Sequence, residues 1–188
     1  MEEDLILKNR SLSSGLIADT HDFKKEGLVL VSVSQEDVEY LGKKFNEIFT
    51  KNNSSRNGLS MLNGALYALG AKQKNNPEWR EHCAGSLREL IHECRGVGQI
   101  SSWFCGTFKQ KNSTFPNSLT NSEDYAKING FYDYFSEIHH HNSLHIIQRL
   151  QFLYGDHVKV GEDSEQMFVK AVRDFIQFML TFFRKHVK

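Results

Sequence analysis

The run His139-His140-His141-Asn142, with His145 one turn further on, puts four imidazoles within seven residues. An imidazole can move a proton near neutral pH or ligate a metal ion. On a helix, Glu137, His141 and His145 follow one another at four-residue spacing and carry the donor types of a zinc-like site. The order is not HExxH and no fourth ligand accompanies them, so the expectation is a solvated polar face with no metal and no other cofactor. His139 and Asn142 differ, because they fall where an apolar residue is due. A buried imidazole needs a hydrogen-bond partner. The pair reads either as a polar cluster in a core or interface, or as a histidine in a groove between helices that transfers a proton or contacts phosphate.

Arg88 and His92 form a second pair, four apart on one flank of a helix. Arg88 has an ordinary use as a salt-bridge partner for Glu81 or the neighbourhood of Glu89. It has a sharper use if it converges on His139 or His140. An arginine that binds phosphate beside a histidine that moves a proton is the minimum for metal-independent RNA cleavage. The candidate catalytic set is therefore Arg88, His139 and His140. The candidate RNA- or partner-contacting set is Arg88, His92, Asn142 and His145.

These residues need helices to position them. From Ser122 to Leu153 there is no proline. Tyr125, Ile128, Tyr132, Phe135, Ile138, Ile146, Leu150 and Leu153 recur by three or four, apart from one gap of eight across the histidine run. That spacing predicts one long amphipathic helix. Ahead of it, Ser34 caps a helix reaching about Lys51, with Val38, Leu41, Phe45, Ile48 and Phe49 on its apolar side. Leu59, Leu62, Ala65, Leu66 and Leu69 mark a second helix. Asn76-Pro77 opens a third, with Trp79, Cys83, Leu87, Leu90, Ile91 and Cys94 facing inward and Gly96 and Gly98 ending it. Asp163 or Ser164 caps the last, whose broad apolar face runs from Phe168 to Phe183. The segment 27–33, Gly-Leu-Val-Leu-Val-Ser-Val, reads as a short extended segment. Residues 99–121 read as a long connection anchored by Trp103, Phe104, Phe108 and Phe115. The expected fold is all-α: a single domain over 1–188, a bundle of about five helices, with 1–25 as a loosely ordered arm.

Bulk composition narrows the function classes. The 188 residues hold 23 basic and 23 acidic side chains, for zero formal net charge. That balance gives no general electrostatic attraction to nucleic acid, although a local basic patch would. Three cysteines, Cys83, Cys94 and Cys105, without CxxC spacing do not make a disulfide framework. No run approaches about 18 consecutive apolar residues, and MEEDLILKNR lacks the layout of a secretory signal, so a soluble cytoplasmic protein with no membrane contact is expected. Gly96-Val97-Gly98 lacks the Lys-Ser/Thr of a phosphate-binding loop, and no GxSxG elbow exists.

Two segments carry a resemblance. Ala84-Gly85-Ser86-Leu87-Arg88-Glu89-Leu90-Ile91, followed about fifty residues later by Tyr134-Phe135-Ser136-Glu137-Ile138-His139-His140-His141, resembles HEPN-type helical domains of prokaryotic toxin and antiviral systems. The resemblance covers about a third of the chain. It implies an all-α bundle, frequent homodimers, and often RNA cleavage by an Arg-x4–6-His motif. Here Arg88 and His92 enclose three residues and Arg149 and His157 seven, so the motif is absent. The expectation is a non-catalytic module of a defence or stress assembly, acting through a protein partner or a homodimer and in some settings RNA. The alternative is a ribonuclease using Arg88 with His139 or His140.

Overall fold

The computed structural model describes residues 23–51, 53–70, 76–95, 123–141, 143–159 and 164–186. Among these the chain is all-helical, with seven helices and no strand: α1 (23–31), α2 (Gln35–Lys51), α3 (Gly58–Gly70), α4 (Trp79–Arg95), α5 (Glu123–His139), α6 (Ser143–Tyr154) and α7 (Glu165–His186). The expected connection 99–121, the glycines at 96 and 98, and residues 1–22 of the expected arm lie outside the described residues.

The helix boundaries follow from local chemistry. The Asp37 backbone N–H donates to Ser34 Oγ at 3.1 Å, that of Ser60 to Asn57 Oδ1 at 2.9 Å, that of Glu78 to Asn76 Oδ1 at 3.1 Å, and that of Met167 to Ser164 Oγ at 3.2 Å. Each side chain satisfies a donor that the first helical turn leaves open. At the other ends, Ser32, Asn53 and His141 take left-handed backbone angles (φ 54°, 56° and 55°), and Gly155 does so after α6 (φ 99°). The amides that follow fold back on the last turn: Ser32 N–H on Val29 O and Val33 N–H on Leu28 O, then Asn53 N–H on Thr50 O and Ser54 N–H on Phe49 O. This is a helix-closing pattern that glycine usually provides.

Two expectations are corrected. Residues 27–31 are helical, not extended. Phe23, Gly27 and Val31 recur by four and are buried, which gives the segment a helical face. Against α3 it packs so tightly that a methyl group on Gly27 would strike the Leu66 carbonyl, and one on Gly70 the Phe23 carbonyl. Backbone contact of this kind outweighs the β-propensity of a Val-rich segment. The second correction concerns the long helix 122–153, which is two helices. It stops at His139 and resumes at Ser143, with the left-handed His141 in the turn. With α1 added and that helix divided, the expected count of about five becomes seven among the described residues.

The core is aromatic, and α7 runs through it. Phe168 meets the Trp79 ring of α4 edge-on at 5.5 Å and lies 6.3 Å from Tyr134 of α5. Phe175 meets Phe131 and Phe135 of α5 at 5.5 and 5.6 Å. Phe183 meets Phe45 of α2 at 5.3 Å, nearly perpendicular. At the surface Arg184 closes the α2–α7 contact with a 2.6 Å bond to Asp37.

Truncating Phe175 to alanine is expected to cost about 3–5 kcal/mol of stability. Gly70→Ala is expected to cost at least ~2 kcal/mol through overpacking against α1. Gly64→Ala, on the exposed side of α3 with only the Ser86 hydroxyl at 3.5 Å, should instead gain roughly 0.5–1 kcal/mol. Urea titrations followed by far-UV circular dichroism measure all three.

Candidate functional site

The residues singled out for chemistry collect on the seam between α4 and α5. The two helices run antiparallel there. Glu81 lies beside His141, Gly85 against His139, and Arg88 over Tyr132. Positions 81, 85 and 88 share one face of α4, because they step by four and three.

Gly85 sets the closeness of this seam. A methyl group there would stand 2.8 Å from His139 Nδ1, so the absent side chain is what admits the imidazole. His139 stacks obliquely on His140 with ring centroids 5.0 Å apart. His141 Nδ1 lies 3.6 Å from Glu81 Oε1 and ties the α5–α6 turn to the first turns of α4. All three histidines are exposed. His139 therefore does not fill the buried position that the apolar stripe suggested: the helix ends at His139, and its ring turns along the surface of α4.

Arg88 is only 20% exposed at its side chain, and its charge is committed. Its Nη1 pairs with Glu89 Oε1, and its guanidinium carbon sits 5.7 Å from the Tyr132 ring centroid. Of the two ordinary partners foreseen for it, Glu89 takes the role. Glu89 Oε2 accepts from Arg56 Nη1 at 3.2 Å, Arg56 Nε lies 3.2 Å from Glu93 Oε1, and the Ser54 hydroxyl donates to Glu93 Oε2 at 2.5 Å. Charges of alternating sign thus run Arg88, Glu89, Arg56, Glu93 and clamp the α2–α3 loop onto α4. From Tyr132 to His139 is seven residues of α5, or about 10 Å of helix axis. Arg88 and His139 share the seam, but the arginine is directed toward Tyr132 and Glu89 and not toward the imidazole.

The remaining candidates are dispersed. His92 is exposed on α4, and His145 is exposed on α6 with Nδ1 3.3 Å from Gln148 Oε1. Asn142 lies outside the described residues. Glu137 faces Arg149 of α6, whose Nη2 is 3.4 Å from Glu137 Oε1 while Nη1 is 3.4 Å from Asp133 Oδ2. The break at His141 ends the helical spacing on which Glu137, His141 and His145 would have converged. Among the described residues no group of three or more His, Cys, Asp or Glu side chains gathers to hold a metal ion.

Three polar atoms on this seam are buried without a hydrogen-bond partner: Glu81 Oε2, Arg88 Nε and Ser136 Oγ. Neither Ser136 nor Tyr132 is marked by residue type or spacing as part of the site. The available signal was Gly85, a glycine inside an otherwise good helical segment, where close approach is the usual reason.

Two further groups have strongly displaced acidity. Burial pushes the Cys83 thiol far above its ordinary value of 9.0, which disqualifies it as a nucleophile. Burial, then the charge of Asp174, does the same to the Tyr154 hydroxyl. The folded chain keeps both protons where the unfolded chain releases them. The stability linked to Cys83 is therefore complete below about pH 9 and declines above it, by about 1.4 kcal/mol per pH unit. Denaturant titrations from pH 7 to 10.5 should show this fall, and a Cys83→Ala chain should show a shallower one. No protein-family model, curated protein or solved structure matches this chain.

Proposed function

We propose that this chain is a non-catalytic helical interaction module that works through protein contacts, with RNA as a secondary ligand. One observation carries the reading. Arg88, on the candidate seam, is neutralised by Glu89 and packed on Tyr132. Withdrawing a partly buried guanidinium from its carboxylate to bind phosphate would leave Glu89 half-compensated and cost the ion pair. The exposed imidazoles of His139, His140, His141 and His145 offer donors and acceptors suited to a protein or RNA surface. The setting in a prokaryotic antiviral-defence or stress assembly comes from the resemblance in Ala84–Ile91 and Tyr134–His141 alone. Among the described residues no helix is long and apolar enough to cross a membrane.

A ribonuclease reading has one observation in its favour: Gly85 presses His139 onto the helix that bears Arg88, one turn away. The two readings separate in one assay. Purified chain is incubated with labelled single-stranded RNA in EDTA, beside Arg88→Ala, His139→Ala and His140→Ala chains. The expected result is no cleavage above buffer for any of them. Cleavage by the parent chain that disappears in both Arg88→Ala and His139→Ala would reverse the assignment.

A further inference from the structure

α5 and α6 form an antiparallel hairpin, in which Arg149 meets Asp133 and Glu137 while Phe152 and Leu153 pack on Gly130. Helical hydrogen bonding runs on past the end of α5: His140 N–H donates to Ser136 O at 3.0 Å and His141 N–H to Ile138 O at 3.1 Å. Within the turn His141 takes a left-handed φ of 55°. From Phe131 to Tyr154 there is no glycine and no proline. Where α6 itself ends, by contrast, the chain uses Gly155, whose N–H reaches Gln151 O at 2.7 Å. A histidine can hold a left-handed angle, but it propagates a right-handed helix more readily.

The apolar pattern also continues across the turn. At 100° per residue, Ile146, Leu150 and Leu153 would fall on the same side as Ile128, Phe135 and Ile138 if the turn straightened. Glu123 to Tyr154 would then be one helix of about 48 Å. Its outer half would carry an apolar stripe beyond the end of its own bundle. α6 would not leave alone, because Tyr154 is covered by Lys170 of α7, whose Nζ is 3.8 Å from the ring centroid. The contacts that hold α6 and α7 in place are the Arg149 pairing with Asp133 and Glu137, the packing of Phe152 and Leu153 on Gly130, the contacts of Phe168, Phe175 and Phe183 to α4, α5 and α2, and the Arg184 pairing with Asp37. A second copy of this chain offers all of them again, on its α2, α4 and α5.

We propose that His140 and His141 are a hinge at which α5 and α6 join into one helix, and that two copies then exchange α6 and α7 into a reciprocal dimer. Short turns without a glycine stop favour such exchange, because each copy regains its own contacts across the pair. The proposal does not rest on the interaction-module reading, since a chain that cleaved RNA could exchange its helices equally.

Full-length chain is refolded at low and at high concentration and sized by chromatography with light scattering, beside a His140→Ala/His141→Ala chain and a His141→Gly chain. Alanine favours the straight helix and glycine the left-handed turn, by roughly fivefold per hinge. With two hinges per dimer, the association constants of the two variants should differ by about 25-fold or more, with the parent between. A second measurement fixes the topology. Asp133→Cys with Arg149→Cys, in a Cys105→Ser background, should link within the chain in the monomer peak and between chains in the dimer peak. If the double alanine chain fails to fold, the parent and His141→Gly still decide the matter by their dimer fractions. A parent and variants that stay monomeric at every concentration would overturn the proposal. So would a dimer peak whose disulfides all lie within one chain.

Discussion

Everything described depends on the row of phenylalanines along α7. Phe168, Phe175 and Phe183 stand edge-on to aromatic rings of α4, α5 and α2 in turn. Such contacts add directional preference to the area they bury. Because the three rings are spaced along one helix, they set the rotation of α7 and the heights at which three other helices meet it. The α4–α5 seam inherits its register from this arrangement: Trp79 and Tyr134 are fixed on Phe168, and Glu81, Gly85 and Arg88 then have definite partners on α5.

The polar groups are arranged around that greasy frame by charge balance. Arg88, Glu89, Arg56 and Glu93 alternate in sign, so each charge is shared between neighbours. Arg149 is likewise divided between Asp133 and Glu137. Individually these partly exposed pairs contribute little. Together they hold Arg56, Arg88 and Arg149 against carboxylates. What the seam leaves exposed is the set of imidazoles at the end of α5.

Much of this fold was legible from residue order. Ser34, Asn76 and Ser164 cap helices as their side chains indicate, and the apolar stripes of α2, α3, α4 and α7 are the buried faces. Two features were hidden for physical reasons. A Val-rich stretch becomes helical because Gly27 and Gly70 let two backbones touch, a tertiary fact without a local signature. The α5–α6 turn lacks glycine and proline, so the periodicity ran straight through it; the gap of eight between Ile138 and Ile146 was its one trace. The site was legible as a list of residues, but not as a geometry. Spacing alone could not tell that Glu89 would take Arg88, or that His139 would lie along Gly85.

Trp79 is 4% exposed, with its indole edge-on to Phe168 at the junction of α4 and α7. Its ring is shielded from water by the contact that registers the two helices. Its fluorescence therefore reports on that junction: emission stays blue while the helices are docked and moves red when solvent reaches the indole. With the second tryptophan, Trp103, replaced by phenylalanine, the chain carries its own optical gauge of whether the spine helix is seated.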